Sequence, residues 1–213
     1  TERNTHPVNY RSEEGIPKEH VVLLDQTGSA IGSADKAEVH TTATPLHLAF
    51  SCYLLDGAGR LLVTRRALSK LTWPGVWTNS FCGHPAPGEF MEEAVTRRAM
   101  EELGAHITEL QPVLPEFRYR AVDDSGVVEN EICPVFVARL AEDSGLAPHP
   151  YEVGATAWVD PQALAEAVAA APFAFSPWMR LQLPQILDVL TGTGPSTLEN
   201  PSPETTEAGG LLA

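Results

Sequence analysis

The chain has 213 residues, of which 43% are hydrophobic, and this length can bury one substantial core. Its formal net charge of −14 argues against a protein that grips a nucleic-acid backbone, because such binding depends on clustered Lys and Arg. No run of 18 apolar residues occurs, the first 20 residues contain no apolar signal segment, and the three cysteines are too few for a disulfide framework. We therefore expect a cytoplasmic protein that neither spans a membrane nor is secreted.

The first half of the chain predicts mainly strands. Residues 1–18 are polar and irregular, and we expect them to be flexible. The segments HVVLLD (20–25) and LHLAFSCYLLD (46–56) are typical of strands, and DGAG (56–59) is a turn that leads into the returning strand RLLVTRR (60–66). A further short strand is predicted for VWTNSFC (76–82).

A helix is predicted from Phe90 to Leu103, since apolar residues recur near one face and Glu and Arg occupy the other. The apolar positions are Ala94, Val95, Ala99 and Leu103. Gly104 follows directly, as expected of a residue just past a helix C-terminus.

The second half predicts strands at EFRYRAV (116–122) and NEICPVFVARL (130–140), with a turn at DDSG between them, and then a strand at ATAWVD (155–160). Helices are predicted for Pro161 to Ala171 and for about Ser176 to Leu190, where Pro184 should kink or split the second. Residues 191–213 are predicted to be a disordered tail. Mixed strands with helices between them predict an α/β (α+β) sandwich, formed by one domain over residues 19–190.

Basic residues are concentrated locally in this acidic chain. Eight of the 14 Lys and Arg lie between positions 60 and 120: Arg60, Arg65, Arg66, Lys70, Arg97, Arg98, Arg118 and Arg120. A local basic centre of this kind predicts a small phosphorylated ligand.

Residues 83–104 come close to the Nudix box, in which a loop and helix project carboxylates that bind divalent metal against a diphosphate. Gly83 is followed after five residues by Glu89, and after seven more by Arg97 and AMEELG. Arg98 stands where Nudix hydrolases carry another glutamate. The alternative interpretation is an ordinary amphipathic helix with two surface ion pairs, Arg97–Glu101 and Arg98–Glu102.

A second group contains three histidines and two glutamates, namely His40, His47, His84, Glu129 and Glu131. A single histidine is usually structural, but three with paired carboxylates suit zinc or a transition metal. Glu129 and Glu131 are two apart, so a strand would point both to one face, although a solvated edge strand would show the same alternation.

Cys82 differs from the other two cysteines in its position. Cys52 and Cys133 lie within apolar strands, where a thiol packs as a small hydrophobic group. Cys82 instead lies where a strand ends and a turn begins, beside His84, and a nearby metal or helix N-terminus makes a thiol reactive. Position alone leaves a structural role open for this cysteine as well.

Together these features resemble the type I isopentenyl-diphosphate isomerases, a branch of the Nudix fold that does not hydrolyse its substrate. The resemblance extends from about His20 to about Met179 and rests on HLAFS, TRRALSK, TNSFCGHP, FRYRA, VENEICPVF and FSPWM. It implies a Nudix-type mixed β-sheet sandwich flanked by helices. It also implies reversible conversion of isopentenyl diphosphate to dimethylallyl diphosphate by 1,3-allylic proton transfer.

The resemblance further implies roles for individual residues. Cys82 and Glu131 match the acid/base pair, Tyr119 the tyrosine that assists the glutamate, and Trp178 the tryptophan whose ring stabilises a carbocation. The zinc or manganese ligands would be His40, His47, His84, Glu129 and Glu131. Glu102 and the Cys82 carbonyl would bind magnesium, and the diphosphate would be bound by Lys36, Arg66, Lys70 and Arg98.

Two other functions remain open at this point. A Nudix hydrolase of a nucleoside diphosphate derivative would want the full acidic box, and Arg98 counts against it. A non-catalytic module that binds metal or prenyl diphosphate would leave Cys82, Tyr119 and Trp178 without a role. We expect a small-molecule prenyl diphosphate as the partner, no nucleic acid or membrane, and a monomer or weak dimer.

Overall fold

The structure is a computed structural model and describes residues 19–193. The predicted flexible segment 1–18 and all but the first three residues of the predicted tail lie outside the described residues. The strands are β1 (His20–Leu24), β2 (Ala30–Asp35), β3 (His47–Leu48), β4 (Phe50–Leu55), β5 (Leu61–Arg66), β6 (Trp77–Thr78), β7 (Phe81–Gly83), β8 (Ile107–Leu114), β9 (Arg118–Val122), β10 (Val128–Ile132), β11 (Val135–Leu140) and β12 (Val153–Val159). The helices are α1 (Lys36–Val39), α2 (Met91–Leu103), α3 (Pro161–Ala170) and α4 (Pro177–Thr191), with a 3₁₀ turn at Pro172–Ala174.

These strands form two mixed sheets. The first sheet has the order β2-β1-β3-β10-β9, and the second has the order β12-β5-β4-β11-β8, with β6 added beside β5 and β7 beside β4. The pairs β3–β10 and β4–β11 are parallel, and the remaining named pairs are antiparallel. The predicted mixed α+β architecture is confirmed.

The second sheet is covered on both faces, which explains why all six residues of β4 are buried. Tyr53 and Leu55 pack with α3 and α4 in one apolar cluster, while Phe50, Cys52 and Leu54 pack with α2 in the other. Successive side chains point to opposite faces of a strand, so a continuous apolar run contributes residues to both clusters.

Two long predicted strands are each divided between the sheets. The segment 46–56 contributes β3 to the first sheet and β4 to the second, and the segment 130–140 likewise contributes β10 and β11. The two segments run side by side through the crossing, where the Ala49 amide donates to Ile132 O at 2.9 Å and the Ser51 amide donates to Pro134 O at 3.0 Å. Pro134 has no N–H to donate to a ladder, which suits it to this junction.

Helix α2 agrees with its predicted range, with Phe90 as its N-cap residue. Gly104 ends it in the left-handed conformation, with φ of 60°, and its amide donates to Met100 O. A Cβ at this position would lie 2.8 Å from the Ala147 Cβ, so the glycine also permits close packing.

The predicted split at Pro184 is wrong, because α4 runs unbroken through this residue. Proline removes one helical hydrogen bond, which leaves Arg180 O without its usual donor. Both residues are exposed, so water can satisfy that carbonyl. Among the described residues, β2, α1 and β8 were not predicted.

Candidate active site

A cavity of about 720 Å³ opens beside the junction of the two sheets. Its volume lies within the range typical of small-molecule sites. All of the predicted site residues line it except His47, which is fully buried behind the wall. Residues predicted for the site thus come together around one cavity, although they are up to 142 positions apart in the sequence, Lys36 to Trp178.

Three imidazoles and one carboxylate meet at one end of this cavity. Ligand atoms of His40, His47, His84 and Glu131 all lie within 4.8 Å of one another. Glu131 Oε1 is 3.3 Å from His84 Nε2 and 3.4 Å from His47 Nε2. His47 Nδ1–H donates to Pro45 O at 3.0 Å, which leaves Nε2 with its lone pair directed into the cluster.

Glu129 lies on the same face of β10 as Glu131, as predicted, and both are buried rather than on a solvated edge. Its Oε2 is 3.1 Å from His40 Nε2. Within the described residues, the buried atoms without a hydrogen bond include His40 Nε2, His47 Nε2 and Glu129 Oε2. Buried polar atoms are normally satisfied, and a nitrogen and oxygen donor set of this kind fits zinc or manganese.

Burial lowers the pKa of His84 to about 4, although Glu131 acts in the opposite direction. The imidazole is therefore neutral near pH 7, and neutral imidazole is the form that binds metal. Burial also opposes the charge on Glu131, but the neighbouring imidazoles of His47 and His84 outweigh this effect and hold the pKa of that carboxyl well below its usual value.

Cys82 lies in β7, which pairs with β4 in the second sheet. Burial raises the pKa of its thiol to about 11, even though hydrogen bonds from Ser51 and Asn79 lower it. The Sγ is 3.5 Å from Ser51 Oγ and 3.3 Å from Asn79 Nδ2. Near neutral pH this side chain is a protonated thiol.

Asn79 connects this thiol to the aromatic wall of the cavity. Its Oδ1 accepts a hydrogen bond from Trp178 Nε1 at 2.9 Å, and its Nδ2 also donates to Phe81 O and Cys52 O. Sequence reasoning missed this residue. An asparagine within the apolar segment VWTNSFC was the available signal, since a buried amide must find several partners.

Tyr119 and Trp178 form an aromatic wall, with ring centroids 5.9 Å apart. Tyr119 stands opposite Glu131 in the β9–β10 register, and burial raises the pKa of its phenol. The Arg66 guanidinium carbon lies 5.2 Å from the Trp178 ring centroid, so a cation already contacts this ring.

Four of the predicted basic residues line the cavity, and three of them contact carboxylates. Lys36 pairs with Glu19 and Lys70 with Glu152, both at 2.5 Å. Arg98 pairs with Glu102, with Glu101 at 3.0 Å and with Glu152 at 3.4 Å. Five residues of the predicted basic centre do not line the cavity: Arg60, Arg65, Arg97, Arg118 and Arg120.

Arg98 and Glu102 are buried, at 5% and 8% exposure, so they do not form the surface ion pair that was the alternative interpretation. Burial opposes the charge on Arg98, but the carboxylates of Glu102 and Glu152 outweigh the effect of burial and raise the pKa of Arg98. Gly83 makes this arrangement possible, because a Cβ there would lie 2.7 Å from Arg98 Cγ.

Arg97 holds the loop that contains His84. Its guanidinium donates to both oxygens of Glu89, at 2.7 and 2.9 Å, and to His84 O at 3.2 Å. Bidentate pairs of this kind fix geometry well. Glu89 and Arg97 of the motif that resembles the Nudix box therefore stabilise the loop that carries His84.

No helix within residues 19–193 combines the length and apolar character that a membrane span requires.

Similarity to solved structures concerns the fold: the DR0079 protein of Deinococcus radiodurans superposes with a TM-score of 0.60 at 20% identity, covering 78% of this chain and 98% of that one. A MutT protein of Methanosarcina mazei Go1 gives a TM-score of 0.50 at 19% identity, covering 69% of this chain and 96% of that one.

Residues 45–179 match the NUDIX domain. The isopentenyl-diphosphate Delta-isomerase of Leifsonia xyli subsp. xyli is 62% identical over 172 residues, which cover 80% of this chain and 92% of that protein. The protein of the same name from Clavibacter michiganensis subsp. michiganensis is 64% identical over 78% of this chain and 84% of its own length. The chain therefore belongs to the isopentenyl-diphosphate Delta-isomerase family of NUDIX domain proteins.

Proposed function

We propose that this protein interconverts isopentenyl diphosphate and dimethylallyl diphosphate by a 1,3-allylic proton transfer. The observation that carries the proposal is that the Cys82 thiol and the Glu131 carboxylate line the same cavity, although they come from different sheets. Relatives that are 62% and 64% identical carry this activity in their name.

The reaction adds one proton to the terminal alkene carbon and removes another from C2, and the charge between these events rests on the tertiary carbon C3. An acid and a base must therefore address the two ends of the allylic unit. Cys82 offers a thiol proton and Glu131 offers a carboxylate. The pair exchanges these roles when the reaction runs in reverse, as reversibility requires.

Tyr119 and Trp178 would assist two parts of the reaction, namely proton transfer at Glu131 and stabilisation of the positive charge on C3. Tyr119 stands opposite Glu131 on the neighbouring strand, so its hydroxyl is suited to assist proton movement at that carboxylate. Trp178 presents an aromatic ring to the cavity, and a cation near such a ring is stabilised by about 2 kcal/mol when water is excluded. The Asn79 hydrogen bond fixes the indole in this position.

A divalent ion, zinc or manganese, would be held by His40, His47, His84, Glu129 and Glu131, and its positive charge would favour the ionised state of the carboxylates. Their unpaired buried atoms support this assignment. We assign magnesium to Glu102 and the Cys82 carbonyl, where it would neutralise part of the diphosphate charge.

Lys36, Arg66, Lys70 and Arg98 would bind the diphosphate. Three of these residues contact carboxylates at the cavity wall, so diphosphate binding must replace some of those contacts. Until the substrate arrives, the carboxylate contacts keep these basic side chains charged and in place.

The test is incubation of the protein with isopentenyl diphosphate in D₂O, followed by product analysis. We expect dimethylallyl diphosphate that contains deuterium, and no release of inorganic phosphate. Hydrolysis of a nucleoside diphosphate derivative without isomerisation would support the hydrolase alternative. Binding of the prenyl diphosphate with neither reaction would support a non-catalytic module.

A further inference from the structure

Thr72 connects the loop after β5 to the proposed metal site. Its side chain is 4% exposed, and its hydroxyl has two partners. Oγ1 lies 2.8 Å from Glu129 Oε1 and 3.1 Å from Arg66 Nη2. Neither the sequence motifs nor the proposed chemistry accounts for this buried hydroxyl.

The direction of these two hydrogen bonds follows from their partners. A guanidinium can only donate, so the Thr72 oxygen accepts from Arg66. The single hydroxyl proton is then free for Glu129, and Oγ1 donates it to Oε1. Arg66 thus orients the hydroxyl, and the hydroxyl donates a charge-assisted hydrogen bond to the glutamate.

This contact determines which oxygen of Glu129 faces the histidines. Oε1 is taken by Thr72, whereas Oε2 is buried without a hydrogen bond and lies 3.1 Å from His40 Nε2. We propose that Thr72 is a positioning residue that fixes the Glu129 carboxylate so that Oε2 is available to a metal ion. This inference rests on the proposed function, because it takes Glu129 as a metal ligand.

The loop itself is held rigidly enough for this task. Arg66 Nε and Nη2 also donate to Thr72 O, at 3.0 and 2.8 Å, so the backbone and the side chain of Thr72 are both anchored to one guanidinium. The neighbouring Trp73 packs edge-on against Trp178, with ring centroids 5.6 Å apart. Lys70, a proposed diphosphate residue, lies on the same loop, so one segment supports both parts of the site.

A matched pair of variants tests the inference. Thr72→Val keeps the shape of the side chain but removes the hydroxyl, and Thr72→Ser keeps the hydroxyl. The readout is the affinity for Zn²⁺, measured by competition with a chromophoric chelator and without substrate. Loss of such an outer hydrogen bond typically weakens metal binding about 10- to 100-fold, and we expect Thr72→Val to fall in this range. Thr72→Ser should retain most of the affinity.

Thr64→Val is the control for loss of a buried hydroxyl as such. Thr64 is 3% exposed, and its hydroxyl donates to Asn79 O rather than to a proposed ligand. We expect its Zn²⁺ affinity to match that of the unchanged protein. Thermal unfolding of each variant establishes that the affinities refer to folded protein, and Thr72→Ala replaces Thr72→Val if the latter does not fold.

Glu129→Gln separates this inference from the proposed function. If Glu129→Gln weakens Zn²⁺ binding but Thr72→Val does not, the role of Thr72 is wrong and the metal site stands. If Thr72→Ser weakens binding as much as Thr72→Val, the hydroxyl is not responsible and the inference is again overturned. If Glu129→Gln leaves the affinity unchanged, Glu129 is not a ligand and both proposals fail at this residue.

Discussion

His47 and Glu131 stand opposite each other on the parallel strands β3 and β10, with Nε2 of the imidazole 3.4 Å from Oε1 of the carboxylate. The histidine is fully buried, and its other ring nitrogen is occupied by Pro45 O. The strand register thus fixes the position of this imidazole, and the hydrogen bond to Pro45 O fixes its tautomer.

Replacing His47 should therefore weaken the binding of metal. For His47→Asn we expect Zn²⁺ affinity to fall by at least about 10-fold, because one nitrogen donor is lost from a set that the fold holds in place. The measurement is the metal content of protein dialysed against a weak chelator. His106→Asn, at an exposed histidine, is the control and should keep its metal. Equal metal content in both variants would contradict the ligand assignment.

Removal of the Cys82 thiol should abolish most of the isomerisation. Loss of a general acid or base costs about 10²- to 10⁴-fold in rate, and we expect kcat of Cys82→Ala to fall by that amount. Cys52→Ala is the matched control, because Cys52 is a fully buried thiol within an apolar cluster. It should lower stability but change kcat little. A similar loss of kcat in both variants would assign the effect to packing.

Arg98→Gln should strongly destabilise the metal-free protein. The change leaves the buried Glu102 carboxylate without its main charged partner, and breaking a buried pair on one side typically costs about 3–5 kcal/mol. The double variant Arg98→Gln, Glu102→Gln should recover part of this loss, since no buried charge is then left unpaired. Urea unfolding of both single variants and the double variant measures the coupling. Additive losses would show that the pair does not interact.

Glu152 should make stability depend on pH in the acid range. Burial raises the pKa of this carboxyl, but Lys70 and Arg98 outweigh it and lower the pKa to about 2. The unfolded chain, with a pKa of about 4.3, binds the proton first as pH falls, so the stabilisation is present above about pH 5 and is lost towards pH 2.

The corresponding test is urea unfolding of Glu152→Gln between pH 7 and pH 3. The variant should be less stable than the unchanged protein at pH 7, and the difference in unfolding free energy should shrink as pH falls. Glu142→Gln, at an exposed position, should follow the unchanged protein throughout. A difference for Glu152→Gln that stays constant with pH would rule out the carboxylate as its source.

The elements that the sequence predicted well are those whose pattern reflects burial. Helix α2 shows its apolar positions at helical spacing and ends at Gly104, and β4 is a continuous apolar run. The unpredicted β2 is mostly exposed and has little apolar pattern, so only its pairing with β1 defines it as a strand. The unpredicted β8 contains Pro112 and is only partly buried at the sheet edge.

At the site, residue types indicated the chemistry, but their supporting contacts depended on tertiary structure. Histidines and glutamates were identified as a set because their combination is unusual. Glu19, Thr72 and Glu152 look like ordinary surface residues in the sequence, and each gains its role from a partner that is 17, 57 or 82 positions away. Partners this far apart in the sequence produce no local spacing pattern from which their contact could be predicted.

The crossing at Ala49 and Pro134 has a consequence for folding. His47 and Glu131 belong to the first sheet, whereas His84 follows β7 of the second, so the histidine cluster is complete only when the sheets are docked. Neither sheet alone can offer the full donor set, and metal capture would be a late event in folding. A bound ion would then act as a cross-link between the sheets, and by mass action it would favour the docked state over any partly opened one.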